Sequence, residues 1–123
     1  MNVRMLVLLA ASAIVSGASA TDWSLTYRPA TVKYTIYAGG LGDPVAPSKT
    51  DGKVAFAVMG SAAKAVFESI GPDKPDQCSS GSSLRYRSKD DDRLSCTRSS
   101  GGQYSCYFGF DLKSGKSVGG SIC

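Results

Sequence analysis

Between Tyr104 and Leu112 the apolar side chains fall on every second position: Tyr104, Cys106, Phe108, Phe110 and Leu112. Ser105, Tyr107, Gly109 and Asp111, mostly small or polar, lie between them. Successive strand residues point to opposite faces, so this alternation predicts a strand with one buried and one wet face. Glycine-rich turn signals flank it on both sides, which makes it the expected central strand of a small sheet. The same period recurs over Thr31–Ala38, with Val32, Tyr34 and Ile36 on one face and Lys33, Thr35 and Tyr37 on the other. It recurs again at Val54, Phe56 and Val58, after an Asp51-Gly52 turn signal. Trp23, Leu25 and Tyr27 alternate as an edge strand does, until Pro29 interrupts; proline has no N–H for a ladder.

One segment changes period. Ala62–Ile70 places Ala63, Val66, Phe67 and Ile70 on one side of a helix, with Ser61 as expected N-cap and Gly71-Pro72 as stop. Leu84–Arg87 and Arg93–Thr97 predict a hairpin around Lys89–Asp92, pairing Tyr86 with Leu94. Ser100–Gly102 turns the chain into the central strand, and Ser117–Cys123 returns along it after Ser114-Gly115. Gly39–Pro47 carries too many glycines and prolines for regular structure. It reads as a connector or a recognition loop. The expected fold is α+β: an antiparallel sheet of about five to six strands, one helix on one face, and two disulfides in the C-terminal half.

The first twenty residues stand apart. Arg4, the apolar run Met5–Ala13 and Ala18-Ser19-Ala20 form the n-region, h-region and cleavage site of an export signal. Residues 1–20 are therefore expected to be removed, leaving Thr21–Cys123 as a single domain in a periplasmic or extracellular compartment. A domain of this size buries only about two-thirds of its unfolded surface, so cross-links matter. The four cysteines suit an oxidising compartment, each bridge adding about 2–4 kcal/mol. A tight Ser114-Gly115 loop would set Cys106 opposite Cys123, which favours Cys78–Cys96 with Cys106–Cys123. The alternative is Cys96–Cys106 with Cys78–Cys123. The favoured register leaves Val118 and Ile122 on the wrong face, a conflict that a bulge at Gly119-Gly120 would relieve.

Composition narrows the chemistry. The chain has no histidine, which removes histidine-based nucleophilic catalysis and the usual near-neutral acid–base group. Cysteines without a C-x-x-C pair or histidine do not make a zinc site, and no cofactor is expected. The net charge of +4, one less once Arg4 is removed, is mild. Arg85-Tyr86-Arg87 with Arg93 and Arg98 is an aromatic–basic cluster, but Asp90–Asp92 would repel phosphate, so nucleic acid is not the expected partner. One catalytic constellation stands out. Ser61-Ala62-Ala63-Lys64 matches S-x-x-K at a helix start, and Lys113-Ser114-Gly115 follows in the order seen in penicillin-recognising serine enzymes. A domain this short lacks the length those folds need, and both segments have local duties as cap and turn. Asp111 is the one acidic residue expected on the central strand, on its wet face, where paired carboxylates would have suggested glycoside hydrolysis.

The run Tyr104–Lys116 with the terminal Ser-Ile-Cys, together with Ala62–Pro72, resembles small exported bacterial proteins. In size, export and cysteine usage the chain is also similar to periplasmic lysozyme inhibitors and envelope immunity proteins. That resemblance implies a non-catalytic domain that binds another envelope or secreted protein, here one more acidic than lysozyme. Tyr37, Leu41 and Tyr107 are the expected apolar anchors, with Arg85 and Arg87 for charge, because aromatic and arginine side chains concentrate binding energy. The competing expectations are a small envelope hydrolase using Ser61 and Lys64, and a structural envelope protein without a discrete partner.

Overall fold

A computed structural model describes residues 12–14, 17, 23–75 and 83–122. Most of the expected leader, including its cleavage site, lies outside the described residues, as do Cys78 and Cys123. The elements in order are β1 (Thr31–Gly40), β2 (Asp43–Val45), β3 (Lys53–Met59), α1 (Gly60–Ser69), β4 (Arg85–Lys89), β5 (Leu94–Arg98), β6 (Tyr104–Asp111) and β7 (Ser117–Val118). The strands form one antiparallel sheet in the order β2-β1-β3-β6-β5-β4, with β7 on β6 beyond the end of β5. The period-two segments from Thr31 onward thus become strands, and Tyr104–Asp111 is indeed central, paired along β3 on one side and β5 and β7 on the other.

Register divides the side chains cleanly. Val32, Tyr34 and Ile36 lie beside Val58, Phe56 and Val54, which lie beside Cys106, Phe108 and Phe110. Cys96 continues the row of Cys106, and Arg87 the row of Cys96. On this face α1 packs across β6, β3 and β5. Ala63 and Phe67, one helical turn apart, are buried with Cys96 and Cys106, and Val58, Val66, Ile70 and Tyr104 close around them. The opposite face carries Tyr37, Ala55 and the serine pair Ser88 and Ser95, all buried, and the C-terminal segment crosses it. Ser121 Oγ lies 3.3 Å from Ser95 Oγ.

Several expectations are corrected. Residues 23–30 form no strand, and Trp23, Leu25 and Tyr27 are exposed. The Gly39–Pro47 segment holds β2, a short hairpin arm turned at Leu41-Gly42. The helix starts before Ser61: Met59 sits at the N-cap position and makes no side-chain cap bond. Gly71 is not left-handed; the missing side chain there makes room for the Arg87 guanidinium, which a Cβ would meet at 3.1 Å. The β4–β5 hairpin pairs Tyr86 with Thr97 rather than Leu94, because Asp90, Asp91 and Asp92 all adopt left-handed conformations and take up the turn with Arg93.

The disulfide pairing is corrected by the last hairpin. Asp111 N donates to Lys116 O at 2.8 Å, so Leu112–Gly115 is a four-residue loop and Phe110 faces Ser117. The Asp111 carboxylate sets that length, accepting from Lys113 N at 2.9 Å and Ser114 N at 3.0 Å. Cys106 instead faces Cys96 across β5–β6, in the register set by the Ser100–Gly102 turn, where Ser99 N donates to Gln103 O at 2.9 Å, and the two are bonded. This excludes Cys78–Cys96 and Cys106–Cys123, since each would need a sulfur already committed. The glycine pair makes no bulge. β7 ends at Val118, and Gly120 runs against the Phe108 backbone so closely that a Cβ would collide with it.

Candidate functional site

A ten-residue helix is about 15 Å long, while six strands at about 4.8 Å spacing span roughly 24 Å. One helix therefore cannot cover this sheet, and α1 occupies the end of its face where β6 begins. Beyond it the same face stays apolar and open. Tyr34 is 70% exposed, Ile36 47%, Val32 46%, Leu112 54% and Phe110 39%. Phe56 and Phe108 are half-buried beneath them with ring centroids 5.3 Å apart, and Phe110 stands edge-on to Phe108 at 6.2 Å. The result is a tier of aromatic rings whose outer members, Tyr34 and Phe110, stay in water around the buried Val54. Isolated exposed apolar residues are ordinary, but a contiguous patch of this kind marks an interaction surface.

The five expected binding residues do not share a surface. Tyr37 is buried on the opposite face, where burial pushes its phenol pKa up against a smaller lowering by Lys53. Leu41 is half-buried and lines a shallow depression with Tyr37, Val118 and Ile122. Tyr107 lines a second one, with Lys33, Ala57 and Gly120. Arg85 and Arg87 lie on the helix-bearing face at the far edge. There Arg85 grips Asp73 with two bonds of 2.8 and 3.1 Å, and Arg87 adds a third at 2.7 Å. Arg87 Nη1 also donates to Phe67 O at 2.8 Å, and both guanidinium groups lie over the Phe67 ring, at 4.2 Å for Arg87 and 5.2 Å for Arg85. The arginines thus roof the core and satisfy a carbonyl of the last helical turn.

Phe110 and Leu112, which the alternation placed on the buried face of the central strand, stand at the surface, and Val32, Tyr34 and Ile36, read only as one face of their strand, join them there. Alternation identifies which residues share a face but not whether anything covers it. The signal available was the length of the single helix set against the number of strands.

The catalytic constellation is separated in space. Ser61 and Lys64 line a cleft of about 530 Å³ with Met59, Gln103, Tyr104 and Ser105, at the beginning of β6. Lys113-Ser114-Gly115 follows the other end of that strand, roughly 25 Å away at about 3.4 Å per residue. Lys64 pairs loosely with Glu68 at 3.9 Å, one turn along the helix. Asp51, Asp73, Asp92 and Asp111 are all held below the ordinary carboxylate range by hydrogen bonds: Asp51 by Gly39 N–H and Lys53, Asp92 by Ser88 and Tyr86, Asp111 by Ser114 and Lys113 N–H. For Asp73, hydrogen bonds from Arg85 and Arg87 bring it to about 2. Groups held in this way are poor proton donors near neutrality. Among the described residues no three metal-ligating side chains converge, and no helix is long and apolar enough to cross a membrane. No protein-family model, curated protein or solved structure matches the chain.

Proposed function

We propose that the protein is an exported, non-catalytic protein-binding domain, an inhibitor or immunity-type partner of another envelope or secreted protein. The observation that carries this reading is the uncovered aromatic tier of Tyr34, Phe56, Phe108 and Phe110, flanked by Val32 and Ile36. A rigid sheet presenting aromatic side chains gives up little conformational entropy on binding, which suits occlusion of a partner's working surface. The Cys96–Cys106 bond supports an oxidising compartment, and with the Arg4–Ala20 leader pattern it supports export to the periplasm or beyond. The net positive charge favours an acidic target.

The test is capture from an envelope extract on the oxidised domain, followed by titration of the captured protein in pure form. The expected result is 1:1 binding that a Tyr34→Ser/Phe110→Ser variant of unchanged fold loses. Binding that this variant retains would overturn the assignment of the surface.

A second reading, a small hydrolase using Ser61 and Lys64, has in its favour that both residues share one cleft. Met59 and not Ser61 holds the N-cap position, so Ser61→Ala should leave stability unchanged. Hydrolytic activity lost in that variant at constant melting temperature would favour this reading over binding.

A further inference from the structure

Along Thr31–Tyr37, β1 pairs with β3 on one side only. β2 occupies its other side just at Ala38–Gly40, and no hydrogen bond reaches the outer edge of Thr31–Tyr37 from any described residue. An open strand edge is a template for another strand, and proteins usually blunt it with charge, proline or a cover. Here the stretch along the open edge, Thr-Val-Lys-Tyr-Thr-Ile-Tyr, is rich in β-branched and aromatic residues, and Lys33 is its one charge.

We propose that this edge pairs with the same edge of a second copy of the chain, forming a two-fold symmetric dimer with one continuous sheet. The inference stands on the edge alone and does not depend on the partner proposed above. The limits of the free edge fix the register. Val45 stands opposite Ala38 and stops a partner strand at Tyr37; Pro29 stops it before Thr31. An antiparallel pair filling what remains has its two-fold axis at Tyr34. Val32 then faces Ile36 of the second copy, Tyr34 faces its own counterpart, and Lys33 faces Thr35. Each facing pair matches chemically. Aromatic and β-branched residues meet on the apolar side, and the lysines never oppose one another. Any shift by one residue either loses pairs at β2 or brings Lys33 toward its own counterpart. In this register the open apolar faces of the two copies join across the axis into one surface.

The register makes charge at position 35 decisive. Thr35 is exposed, so neither substitution below disturbs its own fold. Thr35→Lys would oppose Lys33 twice, once on each side of the axis, and Thr35→Glu would pair with it twice. Two such cross-strand pairs change a dissociation constant by about 2- to 30-fold. Sedimentation equilibrium of the oxidised domain at low salt should show a dimer, weakened in Thr35→Lys, tightened in Thr35→Glu, and restored in Lys33→Glu/Thr35→Lys. A wild type that stays monomeric at the highest concentration it tolerates would overturn the proposal. So would a dimer that responds to both charges in the same direction. A monomer that still binds a captured target through Tyr34 and Phe110 would overturn the dimer alone and leave the binding assignment standing.

Discussion

Asp73 accepts bonds from two arginines, and those bonds tie the segment after α1 to β4. Its carboxyl is depressed to about 2, first by the Arg85 bonds and then by Arg87. A carboxylate with a lowered folded-state pKa stabilises the fold above the unfolded value of about 4, and that contribution disappears as pH falls toward about 2. The melting temperature should therefore decline across this interval. Asp73→Asn should melt lower than wild type at pH 7 and converge with it near pH 2, which differential scanning calorimetry in a pH series would show. A gap that persists at pH 2 would mean the aspartate acts by packing instead of charge. The basic-aromatic character of Arg85-Tyr86-Arg87 was visible in the sequence, but its use was not. The residues that employ it, Phe67 and Asp73, are 14 to 20 positions away for Arg87 and come together only when α1 lies across the sheet.

Elements were more legible than their registers. Period-two alternation located β1, β3 and β6, and the change of period located α1; packing against α1 accounts for the repeat in β3 and β6, whereas on β1 the same repeat marks a face that stays exposed. Register depends instead on turn length, which local side-chain bonds decide. Asp111 lengthens the β6–β7 loop by accepting two backbone N–H groups, which removes the register that favoured a Cys106–Cys123 bond, while the separate Ser100–Gly102 turn sets Cys106 opposite Cys96. The glycines near the C-terminus mark this misreading. Their role is to let the chain cross the sheet, with Gly120 against the Phe108 backbone and Gly109 under the Val54 carbonyl. Gly120→Ala should consequently destabilise the domain by about 1–3 kcal/mol, the usual cost of inserting a methyl where the backbone must shift. Urea denaturation would measure it. A neutral result would show that the C-terminal segment can lift from the sheet without consequence.

At the scale of the whole molecule, a helix too short for its sheet divides one apolar face into two parts with different physics. On the inner side of α1, Phe67 is 1% exposed and packed by Tyr104 at 5.3 Å and by two guanidinium groups. Beyond α1, Phe110 lies on the same face with the same chemistry and keeps 39% of its surface in water. Burial sets the worth of a side chain, so the two phenylalanines should behave oppositely when truncated. Phe67→Ala removes a fully packed ring and should cost about 3–5 kcal/mol. Phe110→Ser, by contrast, removes a ring that is only partly withdrawn from water and should cost about 1 kcal/mol or less. It should also lower the binding of an apolar dye to the native domain, since it thins the exposed tier. Equilibrium denaturation and dye fluorescence on the two variants separate a core from a surface. A large stability loss in Phe110→Ser would place that ring in the core, and the aromatic tier would then belong to folding rather than to recognition.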